Sequence, residues 1–281
     1  MFKLGDFECH ILSDGSRSVG AMTDGPAERF VFGDAPEEEL SRCLSNYGGL
    51  SSSTVLPFNY LLLNDGDHYT LVDAGCGERA ENEKHPDEPA GLLPRSLSNA
   101  GVSVQDIETV IVTHGHWDHF GGVVLDGELA FPNAEFVMSR SEAEHIRGVI
   151  KGWALGYLSL IEDRVKYVDG VKALGGGITV KPTPGHTPGM MVVEVSSGGE
   201  TLLYTSDVVI HQAHVEHTDW IPSFEHDHVA AAASRLRLVE ESHRRSQLLF
   251  VPHMPSVLGR VERSQAGYRW VDAHARANME S

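Results

Sequence analysis

The heptapeptide Thr113–His119, THGHWDH, limits the fold more than any other stretch of the chain. It places three imidazoles and one carboxylate directly after the apolar run Thr109–Val112, which is typical of a buried strand. Imidazole is a preferred ligand of zinc and related ions, and histidines two residues apart at a strand end can face one site. The heptapeptide therefore predicts a metal site in the loop after a strand, with further ligands elsewhere in the chain.

Size and charge limit the classes of protein to consider. A chain of 281 residues that is 41% hydrophobic can bury a large core, and we expect one domain. Its net charge of −18 repels phosphate backbones and anionic lipid surfaces, so we expect neither nucleic acid nor a membrane as partner. The amino terminus lacks a basic patch followed by a long apolar run, which predicts a cytoplasmic protein.

The three cysteines, Cys9, Cys43 and Cys76, follow no metal-ligand spacing and are odd in number. This pattern argues against a disulfide framework and against a thiolate zinc site. We expect ordinary buried thiols.

Strand and helix patterns alternate along the chain. Period-two or short apolar runs predict strands at 7–13, 29–32, 58–63, 68–72, 109–112, 134–138, 178–181, 191–195, 201–204 and 247–251. Helical spacing and start signals predict helices near 36–47, 92–100 and 227–243, and Ser139-x-x-Glu142 is a capping box that opens another, with Ile150 on its apolar side. So many strands with so few helices favour two sheets packed face to face, with helices outside.

Three further ligand-type residues follow predicted strands in the second half of the chain: His186, Asp207 and His253. His114 and His116 are expected to share one metal, whereas Asp118 and His119, one step further round the loop, face a second position. Two metals close together suit hydrolysis.

These residues, in this order, resemble the motifs of the metallo-β-lactamase-fold hydrolases. The matching segments are HGHWDH at 114–119, PGHTPG around His186, TSDVV around Asp207 and VPHMP around His253, together with the turn VDAG at 72–75. The resemblance covers roughly residues 57–255. It implies an α/β, four-layer αββα sandwich of two mixed sheets. We expect a single domain over 1–281, with an N-terminal extension and first strands at 1–56, the metal-site core at 57–255 and a C-terminal tail at 256–281.

The same resemblance implies the ligand sets. One metal is held by His114, His116 and His186, the second by Asp118, His119 and His253, and Asp207 bridges both together with a hydroxide. Asp118 and Asp207 are thereby the expected catalytic residues, Asp118 as a group that orients the hydroxide or carries its proton. Asp73 is expected to join a hydrogen-bond network around the site or to hold its turn.

Individual positions distinguish branches of the family. A histidine at 116, where flavodiiron oxygen reductases carry glutamate, favours two Zn²⁺ over redox iron, although Mn, Co or Fe also suit such ligands. Asp207, where plasmid-type β-lactamases carry cysteine, argues against that subgroup. The layout looks most like the branch of N-acyl-homoserine lactonases and methyl-parathion-type hydrolases. Small lactonases carry a tyrosine three residues after the bridging aspartate, and here that position is Ile210.

A substrate pocket must lie beside the metals, and aromatic or imidazole side chains near the motifs are its candidates. These are Tyr60, Trp153, Tyr157, His211, His214 and Trp220. The histidines of the segment 207–228 also leave open an additional metal site or simple solvation; they are His211, His214, His217, His226 and His228.

We therefore expect a dinuclear zinc hydrolase that uses a metal-bridging hydroxide to open an acyl-homoserine-lactone-like ring, as in quorum quenching, or to cleave a related carboxylic ester. Its partner is a small-molecule substrate, and a homodimer is compatible with the sequence. Three alternatives stay open: an organophosphate triester hydrolase, a mononuclear iron oxygenase that uses His114, His186 and Asp207, and a non-catalytic binding protein that retains its metals.

Overall fold

Two seven-stranded sheets dominate the computed structural model, which describes residues 1–49, 54–81, 84–85, 87–148, 152–265 and 267–273. In chain order the strands are β1 Phe2–Leu4, β2 Phe7–Ser18, β3 Val55–Asn64, β4 Tyr69–Val72, β5 Ile107–Ile111, β6 Val124–Leu125, β7 Glu128–Leu129, β8 Glu135–Ser139, β9 Val165–Val168, β10 Lys172–Gly175, β11 Ile178–Pro182, β12 Met191–Ser197, β13 Glu200–Tyr204, β14 Leu248–Phe250, β15 Leu258–Ser264 and β16 Gly267–Asp272. The α-helices are α1 Ala27–Phe32, α2 Glu37–Leu44, α3 Leu93–Asn99, α4 Trp117–Phe120, α5 Arg140–Gly148, α6 Trp153–Ile161, α7 Ala213–Glu216 and α8 His228–Arg245.

Both sheets are mixed. The first has the order β1-β2-β3-β4-β5-β8-β9 and the second the order β10-β11-β12-β13-β14-β15-β16, while β6 and β7 form a separate hairpin. In the first sheet β4, β5, β8 and β9 run parallel, and in the second β13 and β14 run parallel. The other neighbours are antiparallel, including β3 and β4, which form a hairpin.

The core lies in three layers that follow from the alternation of side chains along each strand. In β12, Met191, Val193 and Val195 point between the sheets, where they meet residues such as Leu61 of the first sheet. Val192 points to the opposite face and packs with residues of α8. A third layer lies between the first sheet and its helices. The four-layer αββα sandwich predicted from the sequence is confirmed.

Several local predictions were wrong. Residues 29–32 belong to helix α1 and not to a strand. Pro26 precedes the first turn of the helix and Glu28 lies within it, which favours a helix start although the following residues 29–32 are mostly apolar. The apolar stretch Trp153–Ile161, for which no helix was predicted, forms helix α6. Ile150, expected on helix α5, lies outside the described residues.

The segment after residue 255 forms strands where we expected a tail. β15 pairs with β14 and β16 pairs with β15, so both extend the second sheet. In the described ranges, no helix has the length and apolar character required to cross a membrane.

Candidate metal centre

Parallel strand pairs bring the candidate ligands to one edge of the sandwich. β4 and β5 run in the same direction, so Asp73 after β4 lies beside Thr113 and His114 after β5. β13 and β14 do the same in the second sheet, and Asp207 and His253 follow their carboxyl ends. Because the two sheets pack face to face, both pairs meet at a shared edge.

The first ligand group combines His114, His116, His186 and Asp207. Nδ1 of His116 lies 3.2 Å from Nε2 of His114 and 2.8 Å from Nε2 of His186. Oδ2 of Asp207 lies 3.3 Å from Nε2 of His186 and 3.8 Å from Nε2 of His114. All four side chains therefore direct a donor atom at one point.

The second group combines Asp118, His119 and His253. The Nε2 atoms of the two histidines lie 3.3 Å apart. Oδ2 of Asp118 lies 3.7 Å from Nε2 of His119 and 3.6 Å from Nε2 of His253. Oδ1 of Asp207 lies 3.0 and 3.1 Å from the same two nitrogens. Asp207 thus directs one carboxylate oxygen at each group.

The donor set fits two zinc-type ions. Zinc–nitrogen bonds of about 2.0–2.1 Å in a tetrahedral site place neighbouring ligand atoms roughly 3.3 Å apart, close to the separations seen within each group. The donors are five imidazoles and two carboxylates, and zinc accepts both types. The residues that would hold the ions are the seven expected from the sequence.

Charge within the cluster keeps Asp207 ionised. Burial raises the pKa of Asp207, but the imidazoles of His119 and His253 outweigh burial and hold it well below its usual range. Burial lowers the pKa of His119, but the carboxylates of Asp207 and Asp73 raise it by more than burial lowers it. The pKa of His119 therefore lies well above its usual value. Burial holds the pKa of His114 well below the usual value. Asp207 is therefore available as an anionic ligand at neutral pH.

In His119 and His253 the ring nitrogen that faces away from the cluster is also bound. Nδ1 of His119 lies 2.7 Å from Oδ2 of Asp73, and Nδ1 of His253 lies 3.0 Å from the carbonyl oxygen of Pro57. These partners fix which nitrogen of each ring points inward.

His186 is held by a second buried carboxylate. Its Nδ1 lies 3.0 Å from Oε2 of Glu225, and Nη2 of the buried Arg235 donates to Oε1 of Glu225 at 3.3 Å. Arg235 also donates through Nε to the carbonyl of Val208 at 2.7 Å, next to Asp207. One arginine thus supports two predicted ligands.

Asp73 accepts hydrogen bonds from several groups and is completely buried. Its Oδ2 accepts from Tyr204 Oη at 2.9 Å and from Thr113 Oγ1 at 3.0 Å, and its Oδ1 accepts from the backbone N–H of Thr113 at 2.8 Å. With His119 as a further partner, Asp73 joins the hydrogen-bond network and makes no contact with the cavity.

The contacts of Glu142 differ from those that its sequence pattern predicts. The expected capping box is half formed, because Ser139 Oγ accepts from the Glu142 N–H at 3.0 Å. The buried Glu142 carboxylate accepts instead from the N–H of Gly115 at 2.8 Å, from Thr187 Oγ1 at 2.6 Å and from the N–H of Gly189 at 3.1 Å. It therefore joins the loop of His114 and His116 to the loop of His186.

Glycines allow the two loops to approach Glu142. A Cβ at Gly189 would lie 2.1 Å from the Glu142 nitrogen, and a Cβ at Gly115 would lie 2.8 Å from Ile146. At Gly189 only glycine fits without displacing the backbone of helix α5, whereas a side chain at Gly115 would require the Ile146 side chain to shift. The glycines of H-G-H and T-P-G are the features of the sequence that accompany this contact.

Replacing Glu142 by glutamine should weaken zinc binding by about 10- to 100-fold, because the amide directs hydrogens at groups that are themselves donors. A competition titration with a chromophoric chelator measures the affinity. The matched control is Glu144→Gln, which changes an exposed residue of the same helix. Equal zinc affinity in the Glu142→Gln variant and the wild type would contradict the positioning role.

A cavity of about 190 Å³ opens on the two ligand groups. Its polar lining consists of five predicted ligands, His116, Asp118, His186, Asp207 and His253. The rest of its described wall is apolar: Met22, Phe30, Leu56, Trp117, Ile210 and Phe224. None of these six was predicted as a wall residue, because they come from four separate segments that only packing brings together. Trp117 lies within the heptapeptide, but its side chain is not of a metal-ligand type.

The six residues expected to line the pocket lie elsewhere. Tyr60 is buried below the site, where its phenol donates to the backbone carbonyl of Asp118. Trp153 and Tyr157 pack under the Arg79 guanidinium, 5.9 and 5.8 Å from it. Trp153 lines a neighbouring cavity of about 340 Å³ that shares Met22 and Trp117 with the catalytic one.

His211, His214 and Trp220 are structural in this fold. Burial lowers the pKa of His211 to about 4, and Nε2 of His214 lies 3.1 Å from the carbonyl oxygen of Val31. Both rings contact Phe32 edge-on, so they hold helix α1, which presents Phe30 to the cavity. Trp220 is only 4% exposed and stacks on His217.

The chain is similar in sequence to proteins of a known family. The model of the metallo-beta-lactamase superfamily matches residues 54–253. The N-acyl homoserine lactonase AiiA of Bacillus thuringiensis subsp. kurstaki is 27% identical over 236 residues, which cover 75% of this chain and 89% of the lactonase. These matches confirm the family that the metal-ligand motifs together resemble.

Solved structures agree over nearly the whole chain. AidC, a dizinc quorum-quenching lactonase in complex with the product N-hexanoyl-L-homoserine, gives a TM-score of 0.85 at 28% identity and covers 96% of this chain and 95% of its own. The hydrolase AbOPH gives a TM-score of 0.80 at 23% identity, with 97% and 96% covered, and supports the fold. The prediction of a metal-dependent hydrolase is confirmed, and the chain belongs to the metallo-beta-lactamase superfamily.

Proposed function

We propose that the chain is a dinuclear zinc hydrolase that opens the ring of acyl-homoserine lactones. The observation that carries this proposal is the contrast within the cavity between an apolar wall and a floor made of predicted ligands. The lactonases AiiA and AidC, to which the chain is similar, act on such substrates by name.

The wall selects for a neutral substrate. Among its described residues there is no lysine or arginine to bind a phosphate or a carboxylate, and Met22, Leu56 and Ile210 give it aliphatic character. Moving an anion into such surroundings costs several kcal/mol unless it is paired. A lactone ring with an acyl chain is neutral and largely apolar, so it suits this wall better than an anionic ester does.

Bound in the two ligand groups, zinc ions would supply a hydroxide nucleophile at neutral pH and polarise the ester carbonyl. The chain's own part is to hold the donors and to move the proton. Asp207 directs one oxygen at each group, and its pKa, depressed by the surrounding imidazoles, keeps it anionic. Asp118 lines the cavity, where its carboxylate can receive a proton and return it to the leaving alcohol oxygen.

Ile210 in the wall bears on how the substrate is oriented. It stands where small lactonases carry a phenol, and it offers no hydrogen bond to the carbonyl or to the leaving oxygen. Substrate orientation must then depend on the ligand groups and on the shape of the wall. We therefore expect a preference among acyl chains that is set by packing against Trp117, Phe30 and Phe224.

Hydrolysis of neutral aryl phosphotriesters is the second candidate. The rings of Phe30 and Phe224 lie 4.5 Å apart at an angle of 38°, and Phe224 meets His186 edge-on at 5.5 Å. Together with Trp117 they form an aromatic wall on which an aryl leaving group can stack.

A substrate panel separates the two candidates. It contains N-hexanoyl-homoserine lactone, phenyl acetate, a diethyl aryl phosphate, an aryl phosphodiester and a β-lactam. We expect kcat/KM for the lactone to exceed that for each other substrate by at least about tenfold, equivalent to about 1.4 kcal/mol. The anionic phosphodiester should be a poorer substrate than the neutral phosphotriester, because outside the ligand groups the described wall residues supply no cation to pair with the phosphodiester.

Turnover of the phosphotriester alone would overturn the lactonase proposal and support the second candidate. Metal analysis belongs in the same experiment. About two zinc ions per chain are expected, whereas a single iron would favour an oxygenase. The Asp207→Ala protein serves as the blank for spontaneous lactone opening.

A further inference from the structure

A third cluster of metal-ligand side chains lies outside the dinuclear centre. Cys43 near the end of helix α2 and the neighbours Glu216 and His217 at the end of α7 place their donor atoms within 4.8 Å of one another. Cys43 Sγ lies 3.7 Å from Oε2 of Glu216. In sequence, 173 positions separate this cysteine from this glutamate, which is why cysteine spacing gave no sign of it.

We propose that Cys43, Glu216 and His217 form a third site, for one zinc-type ion. The distances suit such an ion, because zinc–sulfur bonds of about 2.3 Å and zinc–oxygen bonds of about 2.0–2.2 Å place sulfur and oxygen roughly 3.6 Å apart in a tetrahedral site. A thiolate, an imidazole and a carboxylate together select zinc and its neighbours over magnesium or calcium.

The local charge also points to a cation. In the described part of the chain, Glu216 has no lysine or arginine partner, and its neighbours are the thiol of Cys43 and the phenol of Tyr47, which donates to Oε1. Burial, followed by the charge of Glu216, raises the pKa of Cys43 to about 12. A dication would offset the charge of Glu216 and take the place of the thiol proton.

His217 is held in position by Trp220 and lines a surface cavity. Its ring stacks on Trp220 with centroids 3.8 Å apart and planes inclined by 3°. Nδ1 of His217 lies 3.8 Å from Oε1 of Glu39, which makes Glu39 a candidate fourth ligand. Both residues line a surface cavity of about 520 Å³, so the His217 side of the cluster is open to solvent.

An ion in this site would join two distant parts of the fold. Helix α2 belongs to the N-terminal segment, and α7 begins six positions after Asp207, close to the wall residue Ile210. The expected role is structural, because no atom of the cluster lines the catalytic cavity. The inference does not depend on which ester the enzyme hydrolyses.

Titration of the metal-stripped, full-length protein with cobalt(II) alone tests the site. All predicted ligands of the dinuclear centre are nitrogen or oxygen donors, so a sulfur-to-cobalt charge-transfer band reports a cysteine ligand. We expect about three cobalt ions per chain with that band for the wild type, and about two without it for Cys43→Ser. Serine keeps the size of the side chain and its hydrogen bond to Glu216.

Cys9→Ala is the matched control, since Cys9 is a buried thiol between the sheets, outside the three ligand groups. It should retain the band and the third ion. His217→Gln, on a partly exposed side chain, should lose the third ion even where Cys43→Ser folds poorly. A wild type that takes two ions without a band, or a band that persists in Cys43→Ser, would overturn the third site. Lactone turnover, measured in parallel at two zinc ions per chain, should be the same in Cys43→Ser and wild type.

Discussion

Replacing Asp207 by alanine should lower kcat by more than about a thousandfold, equivalent to about 4 kcal/mol of transition-state stabilisation. The expected cause is the loss of the carboxylate that directs one oxygen at each ligand group. Without it, five imidazoles face one another with less negative charge to hold two dications. Steady-state kinetics with the lactone and zinc analysis of the same sample measure both effects, and occupancy should fall below one ion per chain.

Asp163→Ala is the matched control for this substitution, because Asp163 is an exposed aspartate in the turn after α6. It should leave kcat and zinc content unchanged. Full activity in Asp207→Ala would remove Asp207 from the site and with it the dinuclear proposal. Loss of activity with two ions retained would restrict Asp207 to a role in catalysis.

Replacing Asp73 by asparagine should weaken zinc binding by about 10- to 100-fold, although Asp73 makes no direct contact with the proposed ions. Asp73 accepts from four groups at 2.7 to 3.0 Å, and an amide directs hydrogens at groups that need an acceptor. His119 then loses the charge that fixes its inward nitrogen. Because the carboxylate is fully buried, we also expect the free energy of unfolding to fall by about 3 kcal/mol.

Asparagine is the informative replacement, because residue 73 has a φ of 65° and asparagine tolerates this left-handed conformation about as well as aspartate does. Asp65→Asn is the control, since Asp65 accepts two backbone N–H groups in an exposed turn and an amide oxygen can do the same. Urea unfolding and chelator competition measure the two effects. Unchanged zinc affinity in Asp73→Asn would show that the orientation of His119 does not depend on Asp73.

Much of this site could be predicted because its residues occupy strand ends. A strand end is visible in sequence as an apolar run followed by a polar residue, and His114, Asp207 and His253 all follow such runs. Glu142 shows the limit of local patterns. Its spacing from Ser139 matches a helix cap, whereas its carboxylate contacts loops 27 and 45 positions away.

The cavity wall could not be predicted for a related reason. Met22, Phe30 and Leu56 are apolar residues outside the metal-ligand motifs, and only long-range packing brings them beside the loop that follows β5. Conversely, Tyr60 and His214 have polar side chains of the kind expected in a pocket. The phenol of Tyr60 and Nε2 of His214 are instead hydrogen-bonded to backbone carbonyl oxygens inside the fold. Residue type indicates what a side chain can do, and long-range packing decides where it does so.

The division of the cavity between floor and wall has an evolutionary consequence. The predicted ligands lie between residues 114 and 253, whereas half of the apolar wall residues come from positions 22 to 56. Substitutions in that early segment can therefore change which acyl or aryl group fits while every metal donor stays in place. A chain organised in this way can acquire a new substrate without first losing its reaction, so a library confined to positions 22, 30 and 56 is a direct route to altered specificity.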